Sequence, residues 1–150
     1  MAFGLRRQHR KYVKTVLIVE DEPLLAFDTE HILTEEDYGV VGVVDTVAEA
    51  VALLSGFAVD LVLADVRLSG SDGGIEVARE AHARGVPVLF VSGNCPIDAR
   101  ALAIGCLAKP YRPRDLLAAL DAIDILLAGE VPRRLPRSLS LYPRTAAAGS

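Results

Sequence analysis

Cysteine is scarce in this sequence: Cys95 and Cys106 are the two present in 150 residues. They are too few and too widely spaced for a zinc site or a disulfide framework, and no secretory signal points to an oxidising compartment. The expectation is a pair of reduced, inert thiols in a cytoplasmic protein. Long hydrophobic runs are also missing. None approaches the about 18 residues of a membrane-spanning helix. The excess of one charge is small, a net −4, which argues against a general nucleic-acid binder even though basic residues cluster at both ends. Glycines occur, but Gly70, Gly73 and Gly74 fit neither a P-loop nor a dinucleotide fingerprint, and they read as a mobile loop. What is there is apolar: 51% of the residues, enough for one domain with a real core.

The most informative stretch is Asp60-Leu61-Val62-Leu63-Ala64-Asp65. Four apolar residues between carboxylates are too short for a helix and read as a strand buried on both faces. In open α/β sheets ligands bind beyond the carboxyl ends of strands, where Asp65 emerges; alone, it reads equally well as the start of a turn. Thr15 to Val19 forms a second such run and delivers Glu20-Asp21-Glu22 before Pro23 opens a helix reaching about Glu36. Helix capping accounts for one of those acids, not three. Gly39 to Val44 is another strand, and Thr46 with Glu49 forms a capping box for a helix ending at Gly56. A helix from about Ile75 to Arg84 precedes the strand Val86–Val91, which ends in Ser92-Gly93-Asn94. Pro96 to Ile104 is a short helical candidate. Cys106 to Ala108 is a brief strand ending in Lys109-Pro110-Tyr111, where the X-Pro bond can be cis. Pro113 opens a last helix, with Leu116, Leu120, Ile123 and Leu127 as its apolar stripe and Gly129 at its end. His31 and His82 read as surface or core residues rather than ligands. Residues 1–13 read as a flexible basic arm, 14–129 as one domain, and 130–150 as a disordered tail rich in proline and arginine.

Five strands alternating with helices imply an α/β fold, a doubly wound parallel sheet with helices on both faces. Right-handed crossovers then bring every strand's carboxyl end to one edge. Glu20, Asp21, Asp65, Ser92 and Lys109 would meet around a single cleft. In order and element these residues resemble the receiver domain of two-component response regulators, over roughly Lys14 to Ala128. The resemblance implies the flavodoxin-like strand order 2-1-3-4-5 and a signalling phosphoprotein whose phosphoacceptor is Asp65. It implies that Lys109 and Ser92 contact the phosphoryl group. Mg²⁺ would be held by Asp21 and Asp65 directly, by the backbone carbonyl of Arg67, and by Glu20 through water. The implied partners are a histidine kinase or histidine phosphotransfer protein and an unidentified downstream protein. Homodimerisation stays open, and neither a DNA-binding domain nor a membrane enters. Aspartyl phosphate formation with slow self-dephosphorylation is phosphoacceptor chemistry rather than enzymatic turnover.

Some positions depart from the family pattern. Cys106 stands three before Lys109, where an aromatic often switches inward, and Tyr111 is the candidate replacement. The segment between Ser92 and Lys109 is short, which points to a reduced fourth helix. Pro87, Phe90, Ser92-Gly93 and Lys109-Pro110-Tyr111 are similar to single-domain receivers of alphaproteobacteria. Arg67, Asn94 and Pro110 are further candidates for tuning the switch. Three other readings compete. A flavodoxin-like small-molecule binder would need a phosphate-cradling loop where this chain has three acids. An aspartate-based phosphohydrolase would need an acid where Arg67 stands. A degenerate, phosphorylation-independent scaffold would lack part of the site.

Overall fold

The computed structural model describes residues 10–143. The apolar runs become β1 (Thr15–Val19), β2 (Gly39–Val44), β3 (Leu61–Asp65), β4 (Val88–Ser92) and β5 (Gly105–Ala108), joined through helices α1 (Pro23–Glu35), α2 (Val47–Gly56) and α3 (Gly73–Ala83), with α4 (Pro113–Leu127) after β5. The strands lie in the order β2-β1-β3-β4-β5 and pair in parallel, as expected. Period-two alternation sends successive side chains to opposite faces. Val16, Ile18, Leu61, Leu63, Leu89 and Val91 pack with Leu33 of α1 and Leu116, Leu120 and Ile123 of α4. Leu17, Val19, Val62, Ala64, Val88 and Phe90 pack on the other face with Ala50 and Leu54 of α2 and Val77 and Ala81 of α3. Both faces are covered, so the strands are continuous apolar runs. No helix among the described residues is long and apolar enough to cross a membrane.

Caps set the helix starts. Thr46 accepts a hydrogen bond from the Glu49 amide at 3.2 Å, and Pro23 and Pro113 sit in the first turns of α1 and α4. The expected mobile glycine loop is corrected in part. Gly73 and Gly74 are buried in the first turn of α3, and a Cβ on Gly74 would overlap the backbone of Asp65 and Val66. Gly74 therefore lets α3 approach the end of β3 closely. The candidate helix from Pro96 to Ile104 is reduced to a single 3-10 turn at Arg100–Leu102. The connection from β4 to β5 is shorter than those that hold α2 and α3.

The ends differ most from expectation. Residues 1–9 and 144–150 lie outside the described residues, but parts of the remaining arm and tail pack onto the fold. The amides of Lys11, Tyr12 and Val13 all donate to the Asp124 carboxylate on α4, the last at 2.9 Å, and Val13 is fully buried. Within the tail, β6 (Leu139–Leu141) pairs antiparallel with β5, matching Leu139 to Leu107 and Leu141 to Gly105. Leu139 and Tyr142 become buried. An added Cβ on Gly105 would lie 2.5 Å from the Ser140 carbonyl oxygen, so the glycine makes room for β6. The free edge of β5 is what this tail strand satisfies.

Removing the Asp124 carboxylate would strand amides of the arm, one of them buried. Asp124→Ala should lower stability by about 2 kcal/mol, the scale of hydrogen bonds to a charged group. Urea unfolding measures it, and an unchanged midpoint would show that the arm is not anchored this way.

Candidate functional site

The parallel sheet aligns the ends of its strands, and the first polar residues beyond the apolar runs collect there. Glu20 and Asp21 follow β1, Asp65 ends β3, Ser92 ends β4 and Lys109 follows β5. Glu20, Asp65 and Ser92 are 7%, 8% and 5% exposed, a burial that is unusual for the two carboxylates. Lys109 Nζ lies 3.1 Å from Asp65 Oδ2 and 3.2 Å from Glu20 Oε1. Three more carboxylate oxygens are held by backbone amides: Arg67 N–H donates to Asp65 Oδ1 at 3.1 Å, Glu22 N–H to Glu20 Oε2 at 3.1 Å, and Ser69 N–H to Asp21 Oδ2 at 2.7 Å. The Lys109–Pro110 peptide is cis.

Three acids face one ammonium. One carboxylate oxygen from each of Glu20, Asp21 and Asp65 falls within 4.8 Å of the others. Burial pushes Glu20 up from 4.5 to about 7 despite the hydrogen bond from the Glu22 amide; the Asp65 charge adds to the rise and Lys109 opposes it. Burial alone would lower Lys109, but its bonds and charge contacts with Asp65 and Glu20 outweigh that and raise it, so it stays an ammonium. The cluster is thus short of positive charge. A set of hard oxygen donors at this separation fits a divalent cation such as Mg²⁺.

Other expected residues lie around this centre without joining it. The Ser92 hydroxyl is turned into its own loop, donating to the Asn94 carbonyl at 2.9 Å and accepting from the Asn94 amide at 3.0 Å. The exposed Arg67 guanidinium points away, donating to the Gly70 carbonyl at 2.7 Å and lying 3.9 Å from Asp72. The Tyr111 hydroxyl pairs with Thr29 at 2.9 Å, and its pKa is raised chiefly by burial. With Pro110, Lys109, Leu24, Leu25 and Asp28, Tyr111 lines a groove of about 450 Å³ beside the cluster.

The expectation of two reduced thiols is overturned. Cys95 and Cys106 form a disulfide between Cα atoms 6.1 Å apart, a separation a disulfide spans. Loop folding between β4 and β5 brings them together across a sequence separation of 11. Cys106 is fully buried, in the place where an aromatic switch residue was missed. Ser69, Thr29 and Cys95 were not singled out from the sequence for these contacts. Thr29 alone carried a signal, as a polar residue within the apolar face of α1.

Known proteins match this arrangement. Residues 16–121 match the family described as the response regulator receiver domain. The transcriptional regulatory protein PdtaR of Mycobacterium tuberculosis is 37% identical over 114 residues, covering 72% of this chain and 55% of that protein. The chain spans about half the length of the curated relatives it matches. Among solved structures, a CheY-like receiver domain protein from Methanospirillum hungatei superposes with a TM-score of 0.69 at 27% identity, covering 78% of this chain and 98% of that one. The receiver domain of the sensor histidine kinase PA1611 from Pseudomonas aeruginosa, with a magnesium ion coordinated in its active-site cleft, gives 0.63 at 29% identity, covering 71% and 93%.

The raised Glu20 makes a stability prediction. Its carboxyl ionises more easily unfolded than folded, so the native state binds more protons between pH 4.5 and about 7, and stability falls as pH rises through that window. In metal-free buffer Glu20→Gln should flatten this part of the curve in denaturant unfolding. Parallel curves for the two proteins would contradict the assignment.

Proposed function

Because this chain belongs to the response regulator receiver domain family, we propose that Asp65 is its phosphoacceptor and that the protein works as a two-component signalling switch. One observation carries the reading: Lys109 bridges Asp65 and Glu20 at 3.1 and 3.2 Å within a cluster of three acids. The donor is a phosphohistidine of a histidine kinase or of a phosphotransfer protein. An Asp65 oxygen attacks phosphorus and forms the acyl phosphate O–P bond as the N–P bond to histidine breaks; the released imidazole takes up a proton. Lys109 pairs with phosphoryl oxygens, exchanging its carboxylate contacts for contacts to the transferring group.

Asp21 and Asp65, the Arg67 backbone carbonyl and, through water, Glu20 would hold Mg²⁺. A bound Mg²⁺ would supply the positive charge that the acids lack and neutralise charge on the phosphoryl oxygens. The new group brings a charge of about −1.5 to −2, and Ser92 turns from Asn94 to donate to it. That motion changes the surface beyond β4 and β5, where Tyr111 and Pro110 transmit it and where Asn94 and Arg67 set how long the phosphoryl group survives. The signal passes to another protein by contact, in the cytoplasm. The described residues hold one α/β unit, and every residue of the proposed site is present, which favours an active receiver over a scaffold.

Intact mass measurement tests this. With Mg²⁺ and acetyl phosphate, the wild type should gain one phosphoryl group and Asp65→Asn none; an equal adduct on both proteins would refute Asp65 as the acceptor.

A further inference from the structure

Each cysteine stands three residues from a member of the site: Cys95 follows Ser92 by three, and Cys106 precedes Lys109 by three. The disulfide therefore fastens the loop that leaves β4 to the middle of β5. Apart from the buried Ala99, with Leu102 and Ala103 packed against the same core, that loop is an irregular connection with a single 3-10 turn. Cys106 is fully buried among Phe90, Val88, Ala99 and Tyr142, and in the sheet it lies directly beside Phe90, two residues before Ser92. Cys95 is half-buried and is bonded to Asn94, whose carbonyl accepts from the Ser92 hydroxyl and whose amide donates to it. For Ser92 to reach a group on Asp65 those two bonds must break, which leaves the Asn94 amide and carbonyl to be partnered anew. A covalent anchor at the next residue restricts how far that backbone can move to do so.

We propose that Cys95 and Cys106 are a reversible dithiol–disulfide site that governs whether the Ser92 loop can follow phosphorylation of Asp65. The reactants are a disulfide oxidant and a thiol reductant, small molecules or proteins. In oxidation, the accessible Cys95 thiolate attacks the external disulfide and expels one thiolate. The Cys106 thiolate then attacks the Cys95 sulfur of the mixed disulfide and expels the second. Two electrons pass to the oxidant and two protons leave the cysteines; reduction by two thiols runs the reverse course, again entering at Cys95. The oxidised chain is held with Ser92 turned toward Asn94. The reduced chain is free to turn Ser92 to the phosphoryl group and keep it longer. Coupling is reciprocal, so a phosphorylated chain is also easier to reduce.

This inference rests on Asp65 as phosphoacceptor, and one experiment separates the two claims. The full chain is oxidised with glutathione disulfide or reduced with a phosphine, and intact mass verifies the loss or gain of two hydrogens. Each form then receives Mg²⁺ and acetyl phosphate, and adduct level and decay are followed by mass. The reduced form should hold roughly fivefold more adduct, the lower range of typical allosteric coupling. Cys95→Ser, changed at a half-buried position, should match reduced wild type under both treatments. Equal adduct and decay in the two redox forms overturns the switch alone, as does the same difference in Cys95→Ser or a failure of glutathione disulfide to close the bond. No adduct in either form contradicts the phosphoacceptor itself and this inference with it.

Discussion

Three carboxylates and one ammonium share a poorly hydrated rim, and that imbalance of charge organises the molecule's chemistry. Removing ions from water is costly unless each is paired. Glu20, Asp21 and Asp65 meet this demand through amide donors and Lys109, and the arrangement still leaves Glu20 with a raised pKa. A site tuned in this way gains from any added positive charge. Under the proposed function, a phosphoryl group on Asp65 would change that balance and redistribute the contacts of Lys109.

The fold exists to make that crowding tolerable. β1 and β3 lie side by side in the centre of the sheet, fixed by apolar layers on both faces, so the acids at their ends cannot drift apart. Gly74 lets α3 close against the end of β3. At the opposite side of the sheet the demands are different. β4 and β5 carry Ser92 and Lys109, and the connection between them is short and mostly irregular. Here two further constraints act: a sixth strand along the edge of β5, and a disulfide from the loop to the strand. The half that carries the acids is packed on both faces, and the half that carries Ser92 and Lys109 is tied by the disulfide.

Much of this was legible in the sequence, and the reason is physical. Strands buried on both faces must be continuous apolar runs, so β1, β3 and β4 announced themselves, and their crossovers left a single edge for Glu20, Asp21, Asp65, Ser92 and Lys109. What escaped depends on the path of loops and on which atoms face each other. No spacing rule reveals that Cys95 returns to Cys106. Leu139-Ser140-Leu141 alternates like a strand, but proline and arginine around it suggested a tail, and only the open edge of β5 gives it a partner. Asp124 carries no distinguishing signal in the sequence, yet it gathers the amides of the arm. Gly74 looked like flexibility and turned out to be a close contact.

Cation binding tests the central claim most directly, because it asks whether the acids act as one site. Titrating the metal-free protein with Mg²⁺ in a calorimeter should show a single binding event in the wild type that is lost in both Asp21→Asn and Asp65→Asn. A wild type that takes up no Mg²⁺, or variants that bind it as well as the wild type, would contradict a charge-deficient cluster built to hold a cation beside Asp65.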